Sequence, residues 1–256
     1  MRILVSNDDG IGAPGLAALR AAVDDMGDVC VVAPESPQSA AGHAITVHAP
    51  LMVKRLTVEG SPGFLGISVE GRPADCVRLA IRNLLPEPPD LVLSGINAGA
   101  NVGINVFYSG TVAAAAEAAM FGIPAVAFSA SAAAGAIDYL AAAKLCRWVL
   151  DQLLAGGLGK GDLLNVNIPP LAAGRPKGIR VVPQSTAGME DEYIGDTDAS
   201  GAERYKLGDQ YSFQHQADSD VEALNEGFIT VTPLHVDMTN HDRLVALSRR
   251  TWQTIE

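Results

Sequence analysis

Residues 1–34 read as a strand, a helix and a second strand, and that order leaves few folds open. Ile3-Leu-Val5 is a short apolar run of the kind buried in a parallel sheet. Pro14 to Met26 follows as a helix, with Leu16, Leu19, Ala22, Val23 and Met26 at helical spacing and Gly27 at its end. Val29-Cys-Val-Val-Ala33 is the second strand, stopped by Pro34. A strand–helix–strand alternation implies parallel pairing through a right-handed crossover. The joint between first strand and helix is unusual: Ser6-Asn-Asp-Asp9, then Gly10, Gly12 and Gly15.

The pattern recurs. Asp90 to Ser94, Ala125 to Ser129 and Leu164 to Ile168 are further strands. Pro73 to Leu85, Val112 to Phe121 and Asp138 to Ala155 are helices, the last with Leu140, Leu145, Trp148, Val149 and Leu153 as its apolar face. Residues 43–70 alternate loosely and read as hairpin strands. The expected fold is a doubly wound, mostly parallel, Rossmann-like α/β sheet over residues 1–175, with a smaller hairpin-rich C-terminal region. In that region residues 176–230 form projecting arms, for oligomerisation or as a lid. Residues 231–256 add a strand and a helix, the helix around Arg243 to Thr251. Ligands of such sheets gather beyond the carboxyl ends of the strands. The loops after Val5, Ala33 and Ser94 should therefore meet.

Adjacent carboxylates raise one another's pKa unless a cation lies between them. A hard divalent ion prefers carboxylate oxygen, so Asp8 and Asp9 read as metal ligands. Two other readings compete. The aspartates could cap the next helix. Gly10 to Gly15 also spells G-x-G-x-x-G after a strand, with Glu35 placed for a ribose hydroxyl, as in dinucleotide-dependent oxidoreductases. Two acids beside a pyrophosphate, and Pro14 removing an amide donor, argue against the second. Ser39 and the Asn/Gly loop of residues 95–105 offer neutral oxygens, notably on Asn97. Asn101, Ser109, Gly110 and Thr111 precede a helix whose amino end favours phosphate. Ser109 or Thr111 could equally be an ordinary N-cap. His43 is a candidate acid or phosphate donor. A solvent or core role suits all five histidines better.

The formal charge of −11 is concentrated. Between Gly188 and Glu226 eleven acids face only Arg204 and Lys206. That stretch reads as a solvated face, and it would repel a nucleic-acid polymer, whose binding needs Lys and Arg. A small phosphorylated ligand is compatible with it, because a bound cation reverses the local sign. Three scattered cysteines form neither a disulfide framework nor a zinc cluster, and Cys30 and Cys146 read as buried small hydrophobes. No apolar run reaches the roughly 18 residues of a membrane span, and no signal peptide is evident at Met1. A cytoplasmic setting is expected.

Taken together, several runs resemble the SurE (survival protein E) family. They are Ile3 to Gly10, Val31 to Glu35 with Ser39, Ser94 to Asn101, Tyr108 to Thr111, Asp75 to Val77, Leu164 to Pro169 and Val231 to Asp237. The resemblance implies a metal-dependent hydrolase acting on nucleoside 5′- and 3′-monophosphates through a metal-activated water. It puts one magnesium or manganese ion per subunit on Asp8, Asp9, Ser39 and Asn97, and phosphate near Asn101, Ser109 and Thr111. It also implies homodimers or homotetramers with a swapped C-terminal segment. An inactive phosphate-ligand module is the remaining alternative. The chain departs from the family pattern at Ala40, at Arg72 and along Arg204 to Leu207. These departures bear on nucleobase preference and arm packing.

Overall fold

The computed structural model describes residues 1–256 except 60–62, 133–135, 209–211 and 254–256. The chain opens with β1 (Arg2–Ser6), α1 (Pro14–Ala22) and β2 (Asp28–Pro34). The first helix is shorter than its apolar spacing suggests. Asp24 and Asp25 would sit at its carboxyl end, where the helix dipole disfavours negative charge, and Asp24–Met26 form a separate 3-10 turn. The hairpin β3 (Val53–Val58) and β4 (Phe64–Val69) follows. Ile45 and Val47 belong to neither strand and are exposed. That segment is tied down instead by Thr46, whose backbone and hydroxyl both donate to Asp75.

Next come α2 (Pro73–Leu79), which widens into a π turn, and β5 (Leu91–Ala98). The expected loop after Ser94 is partly strand. The register on the neighbouring strand shifts between Ser94 and Asn97, and Asn97 and Ala98 resume pairing with Ser129 and Ala130. The core continues with α3 (Gly110–Met120), β6 (Ala125–Ala130), α4 (Tyr139–Gly156), β7 (Leu163–Ile168) and β8 (Ile179–Val181). Beyond these lie β9 (Met189–Glu190), β10 (Tyr193–Thr197), β11 (Glu203–Leu207) and β12 (Ser212–Phe213). The chain then forms α5 (Asp220–Asn225), β13 (Ile229–Leu234) and α6 (His241–Ser248).

The main sheet has nine strands in the order β3-β4-β2-β1-β5-β6-β7-β13-β8. Pairing is parallel from β4 to β7, with β3 antiparallel on β4 and β13 antiparallel on β7. Both faces are buried because side chains alternate along each strand. Ile3 and Val5 pack with Leu16 and Leu19 of α1 and Ala142 and Cys146 of α4. Leu4 points the other way, to Val77 of α2 and Val112, Ala115 and Ala118 of α3.

Two expectations about packing need correction. On α4 the buried side is Ala142, Ala143, Cys146, Val149 and Leu150, while Leu140 is 73% and Trp148 48% exposed. Small residues let α4 approach α1 closely, so the seam is rotated from the large apolar residues. Cys30 is exposed, because β2 is covered only over its second half. The arms are two antiparallel pairs, β10 with β11 and β9 with β12. Both strands of the β10–β11 pair are exposed along their length. Tyr211 and Asp209, expected in this region, lie outside the described residues.

Candidate active site

The carboxyl ends of β1 and β5, the loop after β2 and the start of α3 enclose a cleft of about 450 Å³. Asp8, Asp9, Ser39, Asn97, Asn101 and Ser109 all line it. These residues, separated by up to about a hundred positions in sequence, meet because parallel strands deliver their following loops to one sheet edge.

Asp8 is 6% exposed and lies against the first turn of α3. The Thr111 hydroxyl donates to its Oδ1 in a short hydrogen bond. A Cβ on Gly110 would lie 2.7 Å from the Asp8 Cβ and 2.9 Å from Pro73, so only glycine lets the helix start this close. Asp9 Oδ2 accepts the backbone N–H of Ala98 at 3.1 Å, which joins the β1 loop to the end of β5. The loop carrying Ser39 is pinned by the N–H of Gln38 donating to the Asp8 carbonyl at 2.8 Å. Arg72 holds the same loop by donating to Gln38 Oε1 at 2.8 Å.

Burial pushes both aspartates above the usual carboxylate range. For Asp8 the Thr111 hydrogen bond opposes this and the charge of Asp9 adds to it; for Asp9 the Ala98 amide opposes it. Among the described residues no lysine, arginine or histidine lines the cleft, which also contains Asp191. At the inner end the candidate ligands Asp8, Asp9, Ser39 and Asn97 offer oxygen, and the carboxylates lack a protein cation in the cleft. That set fits a hard divalent ion held by Asp8 and Asp9, with Ser39 and Asn97 at hand.

Asn101 is fixed on all sides. Its side chain donates to Ser129 Oγ at 2.8 Å, its N–H to Asn167 Oδ1 at 2.8 Å, and its carbonyl accepts from Asn165 at 2.7 Å. Those two asparagines sit in the buried strand β7. Their signal, a pair of amides alternating with Leu and Val, is visible in Leu164-Asn-Val-Asn-Ile168 but reads there only as strand. Ser109 is the N-cap of α3, accepting the N–H of Val112 at 3.1 Å, and it faces the cleft as well. Gly110 and Thr111 form the first turn behind it.

His43 does not line the cleft itself. It bonds Glu117 Oε2 at 2.8 Å and lines an adjoining, mostly apolar cavity of about 520 Å³ that shares Ser109 with the cleft. Glu117 is buried, but hydrogen bonds from His43 and Arg78 outweigh burial and hold its carboxyl below its ordinary range. Glu35, the acid a dinucleotide would need, is paired with Lys54.

The outer wall of the cleft was not legible in the sequence. It consists of Asn105 and Tyr108 from the core and Met189, Asp191, Tyr193 and Leu207 from the arms. One acid of the supposedly solvated run is not solvated: Asp220 is fully buried. Burial raises its pKa, against three backbone amides that donate to it.

Residues 3–191 match the model of a family described as Survival protein SurE. A protein named 5′-nucleotidase SurE from Heliobacterium modesticaldum is 43% identical over 249 residues, which cover 97% of this chain and 91% of that one. One named 5′-nucleotidase SurE 1, from Thermus thermophilus, is 43% identical over 248 residues and 97% of both chains. The crystal structure of the SurE protein from Aquifex aeolicus has a TM-score of 0.82 at 36% identity, covering 97% of this chain and 98% of its own. A family match over most of the length, full-length relatives and a shared sheet agree with the cleft just described, and the chain belongs to the SurE family.

Proposed function

We propose that the chain is a phosphomonoesterase that hydrolyses nucleoside 5′-monophosphates to nucleoside and phosphate, and that 3′-monophosphates are substrates too. The observation that carries this reading is the pair of Asp8, buried beside a helix start, and half-buried Asp9, in a cleft without basic side chains. A phosphate cannot enter such a cleft on its own, because it would meet three carboxylates with no countercharge. One divalent ion per subunit, magnesium or manganese, reconciles the acids with an anionic substrate. Asp8 and Asp9 would hold it, with Ser39 and Asn97 completing its shell. Bound there, such an ion supplies positive charge to the phosphoryl oxygens and acidifies water in its shell.

The chain's own groups do the rest. Thr111 keeps the Asp8 carboxylate oriented through its hydroxyl. The first turn of α3, with Gly110 and Thr111, directs its dipole at the transferring group. Asn101, locked by Ser129, Asn165 and Asn167, presents a fixed polar edge to the same spot. The full-length relatives named 5′-nucleotidase support the substrate class.

Among the described residues no helix is long and apolar enough to cross a membrane. All three cysteines are unpaired, which suits a reducing cytoplasm. The helix α6 buries none of its residues and exposes Leu244 and Val245, which supports a homodimer or homotetramer in which residues 231–256 pack on another subunit.

The test is to strip the protein with a chelator, restore magnesium or manganese, and measure phosphate release from 5′-AMP, 3′-AMP and p-nitrophenyl phosphate. Release that requires the ion is the expected result. Tight nucleotide binding with no release in any ion would leave only a binding module.

A further inference from the structure

The root of the arms holds a buried carboxylate that the hydrolysis itself does not use. Asp220 begins α5 and has no exposed surface. Its Oδ2 accepts the N–H of Gly103 at 2.9 Å. Its Oδ1 accepts the N–H of Ser185 at 2.8 Å and that of Val221 at 2.9 Å. Gln184, next to Ser185, donates its Nε2 to the carbonyl of Gly103 at 2.8 Å. Both backbone polar groups of Gly103 are thus bound by side chains from outside its own loop. Gly103 has a φ of +57°, and a Cβ there would lie 3.1 Å from the Phe213 ring and 3.2 Å from Val221. The turn is closed in from the arm side as well as tied to it.

Gly103 sits in the segment that supplies Asn101, Asn105 and Tyr108 to the cleft, and Ser185 leads directly into the one that supplies Met189, Asp191 and Tyr193. One carboxylate is therefore bonded to both chains that form the outer walls. The acids Asp8 and Asp9 hang from β1 and are not part of this link. Burying an ionised carboxylate is expensive unless its lone pairs are filled, and here three backbone amides fill them.

We propose that Asp220 is a positioning residue that fixes the gap between the Asn105–Tyr108 wall and the Met189–Tyr193 wall. It thereby sets how well the nucleoside part of a substrate is seated, an inference that rests on the nucleotidase reading. The walls suit that ligand: Tyr108 and Tyr193 offer flat aromatic surface for a base, and Asp191 accepts hydrogen bonds of the kind ribose hydroxyls donate.

Asp220→Asn tests it. The remaining oxygen can still serve Ser185 and Val221, but the new amide group turns a donor toward the N–H of Gly103. The KM for 5′-AMP should rise roughly tenfold, the worth of one hydrogen bond to a charged group. The kinetics of p-nitrophenyl phosphate, which has no sugar or base to seat, should stay within about twofold of wild type. Hydrogen exchange at the Gly103 amide, read by NMR, should accelerate. Gln184→Leu cuts the bond to the Gly103 carbonyl, leaves Asp220 in place and should show the same split at smaller size; it decides the matter if Asp220→Asn does not fold. An equal loss on both substrates, or faster Gly103 exchange with an unchanged KM for 5′-AMP, would overturn the proposal. Unaltered exchange at Gly103 would overturn it alone, whereas a wild-type enzyme that releases phosphate from neither compound would take the nucleotidase reading with it.

Discussion

The two halves of the cleft are built on different terms. The inner half, from β1, β5 and the start of α3, centres on buried Asp8, Asn101 and Thr111, each locked by hydrogen bonds to neighbouring elements. In the outer half, the arm strands β10 and β11 are exposed at every position, and Tyr193 is 68% exposed. An interior packed on both sides of a sheet fixes atoms within narrow limits. A two-stranded ribbon in solvent does not. Under the proposed function, the inner half would carry the chemistry and the outer one the choice of substrate.

The sharpest way to break this division is Asp8→Asn. Phosphate release should fall on the order of 10²- to 10³-fold, the scale seen when one preorganised charged contact is lost. Thermal stability of the chelated protein should hold or rise, because a buried carboxylate is replaced by a neutral amide that can still accept from Thr111. Calorimetry showing a large destabilisation would make Asp8 a structural residue. Next in size is Gly110→Ala. Its methyl would crowd Asp8 and Pro73, which should cost about 1–3 kcal/mol in urea unfolding and lower kcat with every substrate.

Tyr193→Ala should behave in the opposite sense. The KM for 5′-AMP should rise roughly two- to tenfold with kcat retained, and unfolding should shift by less than about 0.5 kcal/mol. A fall in kcat as deep as that of Asp8→Asn would erase the distinction between the halves.

The smallest effect concerns pH. At the exposed C-terminal turn, hydrogen bonds from Thr239 and His241 hold the Asp237 carboxyl down to about 2. A carboxyl depressed in the folded state stabilises the turn above its unfolded pKa, and that support is lost as pH falls toward 2. A carbon-13 titration should find the Asp237 midpoint near 2, well below that of exposed acids. An ordinary midpoint would mean that the turn is not held.

The same contrast explains what could be read from the chain. The inner half was legible because its features are local: apolar runs ended by acids, asparagines and glycines, each at a strand end. Knowing that parallel strands share an edge was enough to bring Asp8, Asp9, Ser39 and Asn97 together. Exposure on α4 and at Cys30 was not legible, since apolar spacing cannot tell which neighbour a face will meet. Nor was the extension of β5 to Ala98, because a register shift hides inside a run of glycine and asparagine that looks like loop. The arms could be read as a possible lid, but not which of their residues reach the cleft. Met189, Asp191, Tyr193 and Leu207 reach the cleft only through the path of the arms. Asp220 looks like its acidic neighbours until three amides are found around it.

Gly15 carries a last consequence. A Cβ there would fall 2.0 Å from the carbonyl oxygen of Ile96, so the start of α1 and the end of β5 touch main chain to main chain. The spacing between Asp9 and Asn97 is then a backbone dimension, one that a side chain added at Gly15 itself would disturb. Lineages sharing this frame would diversify their substrates by remodelling the ribbon, and grafting a foreign ribbon onto this chain should transplant preference while leaving turnover intact.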